Sequence, residues 1–261
     1  MAAALAALAA PAMAAVEDDE EPICADRPGK GTGTCTVLAG SVQVEVGLAH
    51  WGRDRQGDAS SHALSIGGTA IALGLTERSH VQIDFSPFNR VRVSEGGASE
   101  SASGFGDIGV KAKYRLTGDG SPVQVAVLPF MTIPTAKRSL GSGKVEGGIA
   151  LPIEWEMGGW PLSVTLTPEL ALVADSDGRG RHLGTAQVIG IGAPLSRRLS
   201  VSAELWGGWD FDPQGTQRQY SVGGSAAYLL SGDIQLDAGA DFGLNRNTPD
   251  VELYAGVALR F

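Results

Sequence analysis

Val251-Glu252-Leu253-Tyr254-Ala255-Gly256-Val257-Ala258-Leu259-Arg260-Phe261, the last eleven residues, alternate in character without a break. Val251, Leu253, Ala255, Val257, Leu259 and Phe261 share one face, whereas Glu252, Tyr254, Gly256, Ala258 and Arg260 share the other. Successive side chains of a strand point to opposite sides, so a period of two over this length predicts a β-strand with one apolar face. A helix would repeat its apolar residues every three or four positions.

The same alternation recurs upstream. Leu162, Val164, Leu166, Leu170 and Leu172 oppose Ser163, Thr165, Thr167 and Glu169. Ile234, Leu236, Ala238, Ala240 and Phe242 oppose Gln235, Asp237, Gly239 and Asp241. Strands are predicted near 37–48, 62–75, 79–88, 105–116, 122–133, 145–156, 162–173, 184–194, 198–209, 217–229, 233–243 and 251–261. Their connections alternate. Tight turns follow the strands at Thr76, Gly118, Gly158, Ser196 and Ser231, and longer polar loops are expected at 51–61, 89–104, 134–144, 174–183, 210–216 and 244–250.

A soluble β-sandwich would also alternate, but its strands average about five or six residues. A tilted strand needs roughly 9–11 residues to cross a bilayer, which these runs supply. Short turns on one rim and long loops on the other are the pattern of outer-membrane barrels. The chain is therefore expected to be all-β, a transmembrane antiparallel up-and-down barrel of about twelve strands over 36–261 in a bacterial outer membrane. Phe261, closing the apolar face of the last strand, is the expected assembly signal for the barrel-assembly machinery. Outer-membrane lipid is the partner of the apolar faces.

Composition agrees. Of 261 residues 43% are apolar, too many for a disordered chain, and 37 are Gly without a collagen period. The net charge of −9 argues against nucleic-acid binding, which calls for a basic face. Residues 1–14, MAAALAALAAPAMA, read as the end of a signal peptide: Ala12-Met13-Ala14 is an A-x-A cleavage pattern, although no charged n-region precedes it. Residues 15–35 then form a periplasmic segment. Its Cys24 and Cys35, the only cysteines, flank ADRPGKGTGT and are expected to form a disulfide in an exported protein.

With apolar sides facing lipid, the lumen receives Glu45, Asp84, Glu146, Glu154, Glu156, Glu169, Glu204, Asp237, Asp241 and Glu252. Lys111, Lys113, Arg115 and Arg260 oppose them, the first three as a ladder on one strand facing acids across the tube. Charges in so narrow a space must pair or be hydrated. Two arrangements satisfy them: a structural salt-bridge network, or a wet passage with a cation-leaning field. Of the aromatics near strand ends, Trp160 and Trp209 suit an interfacial girdle, while Trp206 points inward by parity.

Catalysis finds no motif. His50, His62, His80 and His182 stand in no recognisable triad, and no G-x-S-x-G turn occurs. Asp175-Ser176-Asp177-Gly178 begins like a calcium loop but lacks the later ligands. No catalytic residue, metal site or cofactor is assigned.

Gly104-Phe105-Gly106-Asp107-Ile108-Gly109-Val110-Lys111-Ala112-Lys113-Tyr114-Arg115 resembles a segment of the outer-membrane transporter family named after the phenol meta-degradation pathway. Leu128–Thr135, LPFMTIPT, is similar to that family's next strand, with Ala136 in place of its Gly. Gly243–Asp250, GLNRNTPD, also resembles the family. The likeness covers roughly Thr36–Phe261 and implies a channel or transporter for a small solute, aromatic or hydrophobic. A structural or adhesive barrel with a plugged lumen, or an outer-membrane hydrolase, are the alternatives.

Overall fold

The computed structural model describes residues 22–158 and 161–261. The expected signal peptide and the girdle candidate Trp160 lie outside these residues.

Among the described residues there are sixteen strand segments: β1 (Val42–Gln56), β2 (Ala59–Ile66), β3 (Gly68–Thr76), β4 (Ser79–Phe85), β5 (Phe88–Glu95), β6 (Ala98–Gly104), β7 (Ile108–Arg115), β8 (Val123–Ile133), β9 (Glu146–Ala150), β10 (Ile153–Met157), β11 (Leu162–Ala174), β12 (Arg181–Pro194), β13 (Leu199–Asp210), β14 (Gln217–Ser231), β15 (Ile234–Gly243) and β16 (Val251–Arg260). Four pairs, β2 with β3, β4 with β5, β6 with β7 and β9 with β10, continue one another across short interruptions. The result is twelve antiparallel staves. The sheet closes where β1 pairs with β16, from Gln43 opposite Arg260 to Arg53 opposite Val251, with a shift of register at Leu48. Phe261 seals that seam: its amide donates to Val42 O at 2.8 Å and its carbonyl accepts from Val42 N at 3.0 Å.

Polarity is inverted relative to a water-soluble protein. Leu170, Leu172, Ile191, Leu205 and Phe242 stand on the outer surface, Leu172 with 57% of its area open, while Gln43, Glu45, Lys113 and Asp237 are buried inside. Closure leaves no edge and satisfies the backbone within the sheet, the condition for crossing hydrocarbon. Trp209 sits at the upper end of β13 against Tyr220, ring centroids 5.8 Å apart, where a girdle is expected.

Three expectations change. The first strand begins at Val42 and not near 37, because the chain turns at Leu38–Ser41, with Gly40 N bonded to Gly74 O and Ser41 N to Leu38 O. A side chain on Gly74 would collide with the Leu38 carbonyl, so this turn requires a glycine there. The loops expected at 51–61 and 89–104 are instead strand. β1 and β2 pair up to Gln56 opposite Ala59, and β5 and β6 pair up to Glu95 opposite Ala98. The second hairpin turns at Gly96-Gly97, both with positive φ, as a two-residue hairpin of the primed type demands.

Candidate functional site

The lumen is the candidate site, and the described part of the N-terminal segment runs into it. The sequence left residues 15–35 on the periplasmic side; the structure carries the described part of that segment up into the barrel and back. Ile23 N is bonded to Gly232 O at the short-turn rim. Cys24 and Cys35 form the expected disulfide and so close the base of a ten-residue luminal loop, 25–34. At the descending end Val37 N donates to His80 Nδ1 at 3.1 Å.

Polar bonds from many staves hold this loop. Glu45 on β1 accepts from the amides of Asp26 and Arg27 at 3.1 and 3.2 Å. Arg27 grips Asp237 on β15 with two bonds, Nε to Oδ2 at 3.1 Å and Nη2 to Oδ1 at 2.8 Å. Gly256 has no side chain to obstruct that guanidinium, and a Cβ there would collide with it. Lys30 Nζ reaches Glu252 at 2.7 Å and Asp241 at 3.3 Å, and lies 5.6 Å from the centroid of the inward-facing Trp206. Glu204 on β13 accepts from Lys30 N at 2.8 Å and Gly31 N at 3.2 Å. Glu154 on β10 takes Thr34 N at 2.8 Å and also the Thr34 hydroxyl. Burial lowers the Lys30 pKa, but the hydrogen bond to Glu252 and the charges of Glu252 and Asp241 outweigh it, and the net shift is upward.

The remaining luminal candidates distribute by height. Lys111 pairs with Asp84 on the neighbouring β4 at 3.1 Å. Lys113, with no accessible side-chain surface, binds Asp26 of the loop at 2.6 Å. Arg115 meets Asp119 in the periplasmic turn at 2.5 Å. The three bases therefore do not form one ladder facing acids across the tube: local strand neighbours and the loop take them individually. Arg260 pairs with Asp233 at the same lower rim. Glu146 caps Ala174 N at the opposite rim, Glu169 is half-buried on β11, and Glu156 is exposed near the end of β10. Sequence reasoning missed Asp26, Arg27 and Lys30, which sit in a turn-rich stretch that shows no periodicity.

On either side of the loop the lumen stays open. One cavity of about 570 Å³ lies between the loop and β1–β8, bordered by Glu45, Gln82, Asp84, Lys111 and Phe130. A second of about 340 Å³ lies against β10–β14, bordered by Glu154, Thr165, Ser202 and Glu204. Among the described residues nine carboxylates (Asp26, Glu45, Asp84, Glu154, Glu169, Glu204, Asp237, Asp241, Glu252) stand in the lumen with four cations (Arg27, Lys30, Lys111, Lys113). The field of this lining is negative.

The family described as "Putative MetA-pathway of phenol degradation" matches residues 25–261, the luminal loop included. The chain belongs to this family. Among solved structures, the COG4313 outer membrane channel from Pseudomonas putida F1 is similar at 16% identity with a TM-score of 0.69, over 90% of this chain and 99% of that one. The β domain of the Bordetella autotransporter BrkA has 15% identity and a TM-score of 0.54, over 85% and 100% of the two chains. The KdgM porin has 11% identity and a TM-score of 0.51, over 85% and 99%. These likenesses show an outer-membrane barrel fold. Among curated proteins none matches the chain.

The ends of the segments that resemble the family build loops, while Lys111 and Phe130 within them border the larger cavity. Asp107 accepts from Ala136 N at 2.9 Å and Ser142 N at 3.2 Å, and the Thr135 hydroxyl donates to Gly106 O at 2.9 Å. Thr248 accepts from Tyr220 N at 2.9 Å, while Asn245 and Asn247 donate to Arg218 O at 2.7 and 3.2 Å.

Proposed function

We propose that this chain is a passive outer-membrane channel for small solutes, with the passage running beside the disulfide-closed loop. The observation that carries this reading is the form of the plug. The loop is tethered by ion pairs and amide-to-carboxylate bonds over a charged wall, flanked by two cavities, and such contacts exchange with water more readily than apolar packing. In the larger cavity Phe130 stands directly across from Lys111 on the neighbouring strand. A small aromatic carrying a hydroxyl or carboxylate fits that pairing, and the family's connection with phenol degradation supports the same class. For inorganic ions the negative lining favours cations.

The test is planar-bilayer recording of purified protein, with reversal potential under a salt gradient, beside liposome uptake of benzoate against a disaccharide. Small cation-preferring steps and faster benzoate entry are expected. The rival, a plugged structural or adhesive barrel, takes its support from the loop's crossing of the lumen; absent conductance together with impermeable liposomes would establish it. We assign no catalytic step. His80 accepts the Val37 amide, His50 pairs with Glu252 at 3.3 Å, and His182 is held by Asp175, so three of the four histidines serve structure.

A further inference from the structure

At the loop-bearing rim of the barrel, away from the luminal loop, His182 stands near the start of β12 with its ring turned inward and 5% of its side chain accessible. Its Nδ1 lies 2.9 Å from Asp175 Oδ1, in the turn between β11 and β12. Its Nε2 lies 2.5 Å from Oδ1 of Asp210, the last residue of β13. Asp212, two residues on, brings Oδ2 to 3.9 Å from Nδ1. Ligand atoms of His182, Asp210 and Asp212 all fall within 4.8 Å of one another.

Nε2 is the informative atom. It is buried and makes no hydrogen bond, although Asp210 Oδ1 lies only 2.5 Å away. With Nδ1–H donating to the Asp175 carboxylate, the neutral ring keeps its lone pair on Nε2. That lone pair and a carboxylate oxygen are both acceptors, and at this distance they repel unless a positive species stands between them. A carboxylate that orients a histidine through one ring nitrogen while the other faces an acidic cluster is the arrangement by which proteins hold metal-ligating imidazoles.

We propose that His182, Asp210 and Asp212 bind a divalent transition metal of the zinc class, with Asp175 orienting the imidazole. An imidazole nitrogen suits zinc and its neighbours in the first transition row, whereas calcium and magnesium take oxygen ligands. Zinc bonds of about 2.0–2.2 Å in a tetrahedron separate donor atoms by about 3.3 Å. Admitting the ion therefore moves Asp210 outward by less than about 1 Å, and its side chain, 50% exposed, has room to move. Both Asp212 oxygens already accept amides, Oδ2 from Ser176 at 2.6 Å and Oδ1 from Gln214 at 2.7 Å. Each keeps a second lone pair for the metal, and water completes the shell. The bound ion would tie the start of β12 to the end of β13 and the β13–β14 loop at the mouth. This is independent of whether the barrel conducts.

The test uses the full chain in detergent, carrying no polyhistidine tag, stripped with a chelator and titrated with Zn²⁺ by calorimetry. One Zn²⁺ per chain is expected, at least about tenfold weaker in His182→Gln and in Asp210→Asn and unchanged in His62→Gln. Co²⁺ should give visible ligand-field bands in the wild type that the first two variants lose. Absence of stoichiometric Zn²⁺ uptake would overturn the site, and so would undiminished uptake in both variants; the cluster would then be an imidazolium held by aspartates. Heat-modifiable gel migration shows which variants are folded. If His182→Gln is not, Asp210→Asn decides alone, since its half-exposed carboxylate can be neutralised without opening a cavity.

Discussion

Arg27 and Asp237 differ in their access to water, and that difference decides what each contributes. Asp237 has no accessible side-chain surface, whereas Arg27 keeps 24% of its own. Removing one partner of a buried pair strands the other's charge, at a cost of about 3–5 kcal/mol when that charge is fully enclosed. Arg27→Gln is therefore expected to lower stability by about 3 kcal/mol, the bottom of that range because the lumen is wet. Asp237→Asn should cost less, since the arginine left behind can be hydrated. Urea unfolding in detergent micelles measures both, and an equal or reversed ranking would contradict the assignment of the pair.

Lys30 adds a pH dependence. Its pKa in the folded chain is raised above the ordinary 10.5. A cation so stabilised contributes fully below its unfolded value, and the contribution is lost as pH rises through the folded one. Conductance is thus expected to climb only as pH rises beyond 10.5, where the neutral amine releases Glu252 and Asp241. Lys30→Gln should remove the step and raise conductance at neutral pH. A step that survives this substitution belongs to some other group.

At the scale of elements, a stave such as β4 with β5 runs well past the bilayer's requirement of roughly 9–11 residues. The β5–β6 hairpin, Phe88–Gly104, carries Arg90, Arg92, Glu95 and Glu100 and lies mostly in water. Replacing 92–101 by Asn-Gly is expected to leave heat-modifiable migration and β-rich circular dichroism intact, whereas a comparable cut in β15 should abolish both. This is also where the sequence was hardest to read. Period two is visible only where one face meets lipid and the other the lumen. Over Arg53–Gln56 and Asn89–Ser103 both faces meet water, the apolar half of the pattern vanishes, and a strand reads as a loop. The twelve crossings were legible for the opposite reason: in Ile234–Gly243 and Val251–Arg260 the bilayer enforces the alternation residue by residue. The inward acids were legible by that parity. Their partners were not, because pairing depends on which chain segment enters the lumen, and the segment that does carries glycine, proline and no repeat.

For the whole molecule, the question is how a loop of ten residues can close a tube yet leave it usable. Its two ends are joined by Cys24–Cys35 and anchored at the lower rim through Ile23 and Val37. Its tip is held by ion pairs of Arg27 and Lys30 and by the amides given to Glu45 and Glu204. Cross-linking the base restricts the conformations open to the segment between, so the tip returns to its carboxylates after each excursion. Without the bond the loop explores a larger volume, and the wall acids exchange it for water and mobile cations. Cys24→Ser with Cys35→Ser is therefore expected to increase the open-channel current and its noise and to strengthen cation preference, because Arg27 and Lys30 spend less time neutralising the wall. Barrel assembly should be unaffected, as no strand pairing passes through either cysteine. Reduction of the wild type in the bilayer chamber should reproduce the change and reoxidation should reverse it. If current and reversal potential stay the same while mass spectrometry shows the thiols free, the polar tether alone fixes the loop and the disulfide has no part in setting the conductance.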